Sequence, residues 1–379
     1  MTDTKVQTLK ILVMKKLLTI SLIFTSWNLS LPTLAQIVPD ATLPNNTTVI
    51  INGNRFTIDG GTTIGDNLFH SFQDFSLPTR TEAFFDNSVN ISNIINRITG
   101  GNISNIDGLI RANGTANFFL LNPNGIVFGP NARLDIGGSF ISSTAESLIF
   151  SDGSFYSATN PNAPPLLTIN RPIGLNLGPN PGTITVEGNG HGFTIVENVL
   201  FEPINRSEAN RGLQVQPNQT LALIGGNINL DGGVLTAEGG QIELGAIAEG
   251  RVAFSVLPSG GFAFNYNGVE NFGDINLLQQ AAADTSGVGA ASIQMTGRQI
   301  TLRDGSVALN QNQGSESGGE ISVTATDLLT IEGTNPDASI PSRLQTQALA
   351  IGKGGDIKIS TRQLMVRDGG QIQTILSGL

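Results

Sequence analysis

Ile293 to Gly305 reads IQMTGRQITLRDG. The pattern returns as ISVTATDLLTIEG at Ile321 to Gly333, 28 positions on, and as IKISTRQLMVRDG at Ile357 to Gly369, a further 36 on. Each unit is a strand, a polar turn, a second strand, and then Asp-Gly or Glu-Gly. A strand pair of this kind cannot bury its apolar face alone, but stacked copies can. Stacking sets Ile over Ile and Gly over Gly about 4.8 Å apart. Unequal offsets are what a common coil with loop insertions produces. The expected fold class is therefore all-β, a right-handed parallel β-helix.

Working outward, Gly225 to Leu230 (GGNINL) is echoed by Gly239 to Leu244 (GGQIEL), 14 positions on. Between 91 and 150, short strands recur: Ile91 to Ile98, Ile103 to Ile110, Asn117 to Leu121, Gly125 to Phe128, Leu134 to Ile136 and Ser139 to Ile141. Strands this short, with no room for crossover helices, fit a β-helix or a sandwich, and the repeats favour the helix. Near the start, Thr47 to Ile51 and Arg55 to Ile58 flank Asn52-Gly53 and predict a β-hairpin. A solenoid end needs a cap, and residues 36–75 are assigned that role. Phe69, Phe72 and Phe75 lie three apart, which predicts either a coil corner or a short helix. Pro- and Asn-rich runs within 156–200 predict an excursion from the coil. Residues 278–290 (LQQAAADTSGVGA) predict a short helix or loop.

The N-terminus has the order of a secretory leader: Lys15 and Lys16, an apolar run from Leu17 to Trp27, then small Thr33 and Ala35 ahead of Gln36. Cleavage is expected between Ala35 and Gln36. Met14 is a second candidate start. Without residues 1–35, which carry Lys5, Lys10, Lys15, Lys16 and Asp3, the formal net charge moves from −10 to −13. A chain this acidic repels nucleic acid and anionic membranes. It has no cysteine, so its core alone must hold it, and the lack of cross-links would also suit a chain that crosses a second membrane unfolded. Gly is plentiful, at 46 of 379 residues, and only 13% of residues are charged, which fits many strands joined by tight turns.

Catalytic chemistry finds little support. His70 and His191 are the two histidines, which excludes a His-rich zinc site and disfavours a histidine triad. Gly188 to Gly192 (GNGHG) and Gly352 to Gly355 (GKGG) lack the strand, helix and spacing of phosphate loops. No cofactor or metal is expected. Asp59, Asp107, Asp135, Asp231, Asp304 and Asp368 fall where tight turns select Asp. The rival function is a secreted carbohydrate-active β-helix enzyme, a polysaccharide lyase or hydrolase. It would need mutually close carboxylates.

The most specific segment is Phe118 to Pro130 (FFLLNPNGIVFGP). Asn122-Pro123-Asn124-Gly125 between two apolar strands predicts a type I or type II turn. Asn122, Pro123, Asn124, Gly125 and Ile126 stand among Asn67 to Phe72 (NLFHSF), Asn96 to Gly101 (NRITGG), Ile106-Asp107-Gly108 and Gly137 to Phe140 (GGSF). In this ordered set the chain resembles the secretion domain of the filamentous haemagglutinin family, the exported partners of two-partner secretion, over roughly 45–150. Gly212 to Ile247 is similar to cyanobacterial members. The family's second motif, Asn-Pro-Asn-Leu, has no match ahead of Asn122, where Leu77 to Ile91 stands instead.

The resemblance implies a pectin-lyase-like solenoid with an N-terminal β-hairpin cap and extra-helical excursions. It implies a haemagglutination activity domain at 36–155, followed by 156–211 as excursion and continuing coil. Residues 212–277 and 291–379 would be coil repeats, the last ending as a truncated unit. It further implies a partner, an outer-membrane transporter β-barrel with periplasmic docking domains. The chain would pass through the periplasm to the cell surface or medium as an adhesin, not an enzyme, with a surface or glycan ligand. Asn122 to Ile126 would serve in recognition or nucleation, or only shape a turn.

Overall fold

Three parallel ladders, built mostly from short strands and from a few long ones that run on from one face to the next, wind into one coil. A computed structural model describes residues 37–162, 167–196, 203–257, 260–289 and 291–376. The leader expected over residues 1–35 and the cleavage expected between Ala35 and Gln36 lie outside the described residues. All the described regular elements are strands.

The first face stacks Asn67–Asp74, Asn93–Ile98, Asn117–Leu121, Phe140–Ser143, Thr220–Gly225 and the start of Gln241–Val256. The second runs from Ser104–Ile106 through Ile126–Phe128, Ile184–Glu187, Ile228–Asp231 and Ile275–Leu278. The third joins Arg55–Gly60, Glu82–Phe85, Leu109–Ala112 and Arg133–Asp135. It resumes in a second ladder from Leu213–Gln214 to Gln371–Leu376. Every step between ladders is a parallel crossover, and the twist of L-strands makes such crossovers right-handed. On the second face Ile126, Ile184, Ile228, Ile275, Ile300, Leu329 and Leu364 stack in one aliphatic column.

The offsets between repeats take on physical meaning here. Ile293 lies on Ile321 and Ile321 on Ile357, the registers read from the repeats. Further along the register slips by one, because Ser292–Arg303 and Ile357–Arg367 are each one residue shorter than Ile321–Glu332 between Ala325 and Leu328. The extra residue forms a β-bulge. Asp327 at the bulge accepts from Gln299 and Arg362 of the two neighbouring coils. The 14-residue echo is not a stacking step. Ile228 belongs to the second face and Ile242 to the first, where it stacks on Leu221.

The hairpin cap forms, with Thr47–Asn52 antiparallel to Arg55–Gly60. Its two-residue turn is Gly53-Asn54, one position later than the Asn-Gly pair implies, and Gly53 takes the left-handed φ of 58°. Thr62–Ile64 and Val38–Pro39 also lie antiparallel on Asn67–Asp74 and complete the cover. Phe69, Phe72 and Phe75 form no helix. The first two lie on opposite sides of the Asn67–Asp74 strand, and Phe75 follows at the corner, its ring 5.2 Å from that of Phe72.

Excursions differ from expectation in extent. The first leaves the coil by Ser147, not 156, as the antiparallel strands Ser147–Phe150, Phe155–Ser157 and Pro172–Leu177. A second, expected as coil within 212–277, is the continuation of Gln241–Val256 turning back on Phe262–Asn265. The two join through Gly174 to Leu177 against Gly250 to Ala253. Together they cover the outer side of the first face and bury a second core around Phe69, Ile95, Phe119 and Ile141. This is why Phe118-Phe119-Leu120-Leu121 is apolar without alternation: all four side chains are fully buried, two on each side. Residues 278–290 hold no helix. Ala282–Asp284 is a third-face strand between Val234–Thr236 and Val307–Asn312, and the close stacking overrides the helix propensity of its alanines.

Candidate functional site

Asn122 to Ile126 turns the corner between the first and second faces. The Gly125 amide donates to the Asn122 carbonyl at 3.2 Å, closing a β-turn with Pro123 and Asn124 at its centre. Asn124 is not left-handed, whereas Gly125 has φ 130°. That excludes type II, which needs positive φ at its third residue, and leaves type I.

Every polar atom of Asn122 is used. Its Nδ2 donates to the Asn102 carbonyl at 3.0 Å and to Ser104 Oγ at 2.9 Å, in the coil before. Its Oδ1 accepts from the Asn124 amide at 3.1 Å and from Asn124 Nδ2 at 3.0 Å. Its own amide donates to the Ser143 carbonyl of the coil after, at 2.9 Å. The side chain is wholly buried. Pro123 accepts from the Gly182 amide at 2.9 Å, and Ile126 points into the core. Asn124 is the exposed member, with Nδ2 donating to the Gly100 carbonyl at 2.7 Å. The motif thus staples three successive coils and shows solvent mainly Asn124.

The other motif residues lie in adjacent coils and do related work. Asn67, Asn93 and Asn117 form an amide ladder: Asn93 Nδ2 donates to Asn67 Oδ1 at 2.8 Å, Asn117 Nδ2 donates to Asn93 Oδ1 at 3.1 Å, and Asn117 Oδ1 takes the Ser139 amide. A Cβ on Gly137 would stand 2.1 Å from the Gly114 carbonyl oxygen, so only glycine permits the approach. Asp107 accepts from the Asn131 amide at 2.8 Å and from Thr79 Oγ1. His70 is buried, with Nδ1 3.1 Å from Thr47 Oγ1, and burial pushes its pKa down to about 3, partly offset by Asp59. His191 is also held neutral, down to about 4, mainly by burial. Its Nδ1 accepts from the Phe193 amide, so Nε2 carries the proton toward the Gly305 carbonyl at 2.9 Å.

Two polar centres were not read from sequence. Arg97 is fully buried, its guanidinium 4.2 Å from the Tyr156 ring centre. It donates to Ser71 Oγ, the Ser157 carbonyl and Thr42 Oγ1. Ser71 and Thr42 in turn donate to Asp40, at 2.7 and 2.6 Å. The network ties the cap, the second coil and the first excursion together. Strand alternation gives no warning of it, because the excursion does the burying. Glu243 receives the Tyr266 hydroxyl at 2.5 Å, and burial pushes its carboxyl up to about 8.

Of the turn carboxylates, Asp135 shares Arg111 with Glu82, at 2.7 and 2.8 Å. Asp304 and Asp368 adopt left-handed φ ahead of left-handed Gly305 and Gly369, as tight turns require. Among the described residues no group of three or more His, Cys, Asp or Glu is placed to hold a metal ion.

In the comparisons with known proteins, the chain is 33% identical over 105 residues to the heme/hemopexin-binding protein of Haemophilus influenzae. The match takes in 26% of this chain and 11% of that protein's length. Among solved structures it is similar to the HMW1 secretion domain from Haemophilus influenzae, at 17% identity and TM-score 0.45, covering 90% of this chain and 100% of that one. It is also similar to the filamentous hemagglutinin secretion domain, at 15% identity and TM-score 0.44, covering 90% and 99%. The family model described as the TPS secretion domain matches residues 35–297, more than half of the sequence, and the chain belongs to that family.

Proposed function

We propose that this chain is an exported two-partner secretion substrate, addressed to an outer-membrane transporter β-barrel through that barrel's periplasmic docking domains. It passes through the periplasm unfolded and completes its β-helix at the cell surface or in the medium. There it acts as an adhesin with a surface or glycan ligand, not as an enzyme. The observation that carries the reading is the family match over 35–297. Sequential coil stacking supports it, since each coil added outside disfavours return. The Haemophilus influenzae relative is named for binding heme and hemopexin, and this chain matches 11% of its length.

The address is assigned to Asn122, Pro123, Asn124, Gly125 and Ile126 within a domain beginning near residue 36. Asn122 is inaccessible once folded, so the motif is read in the unfolded chain or acts by nucleating the first corner. Co-expression with a cognate barrel tests this. Wild type should reach the medium only with the barrel. Asn122→Ala should fold when purified yet stay in the periplasm. Export that ignores the barrel would sink the proposal, and export of Asn122→Ala at wild-type level would remove the motif from it.

A further inference from the structure

A concavity of about 510 Å³ opens at the corner where the third-face strands begin. Arg55, Arg80, Arg133, Asn54, Asn131 and Thr81 are among its lining. On a chain with net charge −10 this is a basic site. Arg55 stands 3.9 Å from Glu82, a loose pairing, and lies over the Phe84 ring at 4.1 Å. Arg80 and Arg133 have no ion-pair partner among the described residues. Arg55 and Arg133 are in ladder register three strands apart, which spaces them about 14 Å along the coil axis.

Two features indicate that the site is built. Arg80 holds φ 64° in the turn closed by the Thr81 amide on the Pro78 carbonyl. Glycine would serve that turn better, so the side chain, not the turn, accounts for arginine there. Asp107 fixes Thr79 and Asn131, both lining residues, through the contacts described above.

We infer that this corner binds an acidic polysaccharide of carboxylated sugars, across two to three sugar units. Guanidinium groups pair with carboxylates in forked geometry. Carboxamides and hydroxyls both donate and accept, as sugar hydroxyls do. A single phosphate would need the cations to converge, whereas these are strung along the coil and match charges repeated along a chain. The inference deepens the surface-ligand part of the proposed function and does not require the export part.

Titration calorimetry of the purified chain at low salt tests it, with trimers of galacturonate and mannuronate, a neutral maltotriose and inorganic phosphate as probes. At least one uronate trimer should bind, at least tenfold tighter than maltotriose or phosphate, and weaken as salt rises. Arg133→Ala and Arg80→Gly should each weaken it about tenfold or more. Arg80→Gly also relieves the left-handed backbone, so its loss of binding cannot be put down to misfolding. No uronate binding, equal binding of phosphate or maltotriose, or unchanged affinity in Arg80→Gly would overturn the inference. None of these readouts depends on transport, so a failed export assay leaves them intact.

Discussion

Asn122 and Asn124 belong to one motif but hold opposite positions. The first spends six hydrogen bonds inside the corner, and the second faces solvent. Removing a buried amide strands its partners, which costs about 2–4 kcal/mol, while trimming an exposed one costs about 1 kcal/mol or less. Urea unfolding at constant m should therefore separate Asn122→Ala from Asn124→Ala, and equal midpoints would contradict the burial argument. Glu243 makes a second residue-scale prediction. Its folded pKa of about 8 lies above the ordinary carboxyl value of 4.5, and burial is the cause. The stability linked to this group is then fully present below about pH 4.5 and lost as pH rises through 8. The linked loss is on the order of 3–5 kcal/mol between pH 5 and 9. Glu243→Gln keeps an acceptor for the Tyr266 hydroxyl and should flatten that part of the melting-temperature profile. An unchanged slope would show that other groups set it.

At the scale of elements, glycine decides how closely coils approach. A Cβ on Gly182 would fall 2.4 Å from the Asn124 carbonyl and the Gly125 amide nitrogen, all backbone that cannot swing aside. Gly101, in the coil before the Asn122 corner, has open space around its Cβ position and no left-handed φ. Gly182→Ala should destabilise by about 2 kcal/mol or more, as overpacking does. Gly101→Ala should be neutral or stabilise slightly by restricting the unfolded chain. Thermal melts of the pair, read side by side, test whether close approach or glycine content governs the corner. The bulge in Ile321–Glu332 shows the same logic in reverse: one extra residue is absorbed locally, and both flanking ladders stay in register.

The whole coil is close to one-dimensional, because each strand of a face pairs with the strand above and the strand below. Damage should then spread by neighbour and fade with distance. Ile331 is fully buried between Leu302 and Val366, and Ile331→Ala removes about 2–4 kcal/mol of packing. Hydrogen exchange should quicken most in peptides covering 292–303, 321–332 and 357–367, and least around 93–98 and 117–121. A uniform rise across all of these would mean that the coil opens as one cooperative unit. The two antiparallel excursions join distant turns of the coil, from Ser147 to Asn265 in sequence, and so make the first face the exception to neighbour-only coupling.

Local pattern was enough to determine the strands, the corners and the stacking of like on like, because alternation, Asp-Gly turns and repeated Ile positions are written within about thirty residues. Asn117–Leu121 and the Ile293, Ile321 and Ile357 registers emerge where that pattern puts them. The Asn-Pro-Asn-Gly corner was legible as a turn for the same reason. That Asn122 is sealed from solvent, that 282–284 is a strand, and that Arg97 and Glu243 are buried depended on tertiary structure alone. The neighbouring coils, about twenty or more residues away in sequence, close over Asn122 and 282–284, and the excursions close over Arg97 and Glu243. Burial is a property of what comes to lie on top, and no local spacing encodes that.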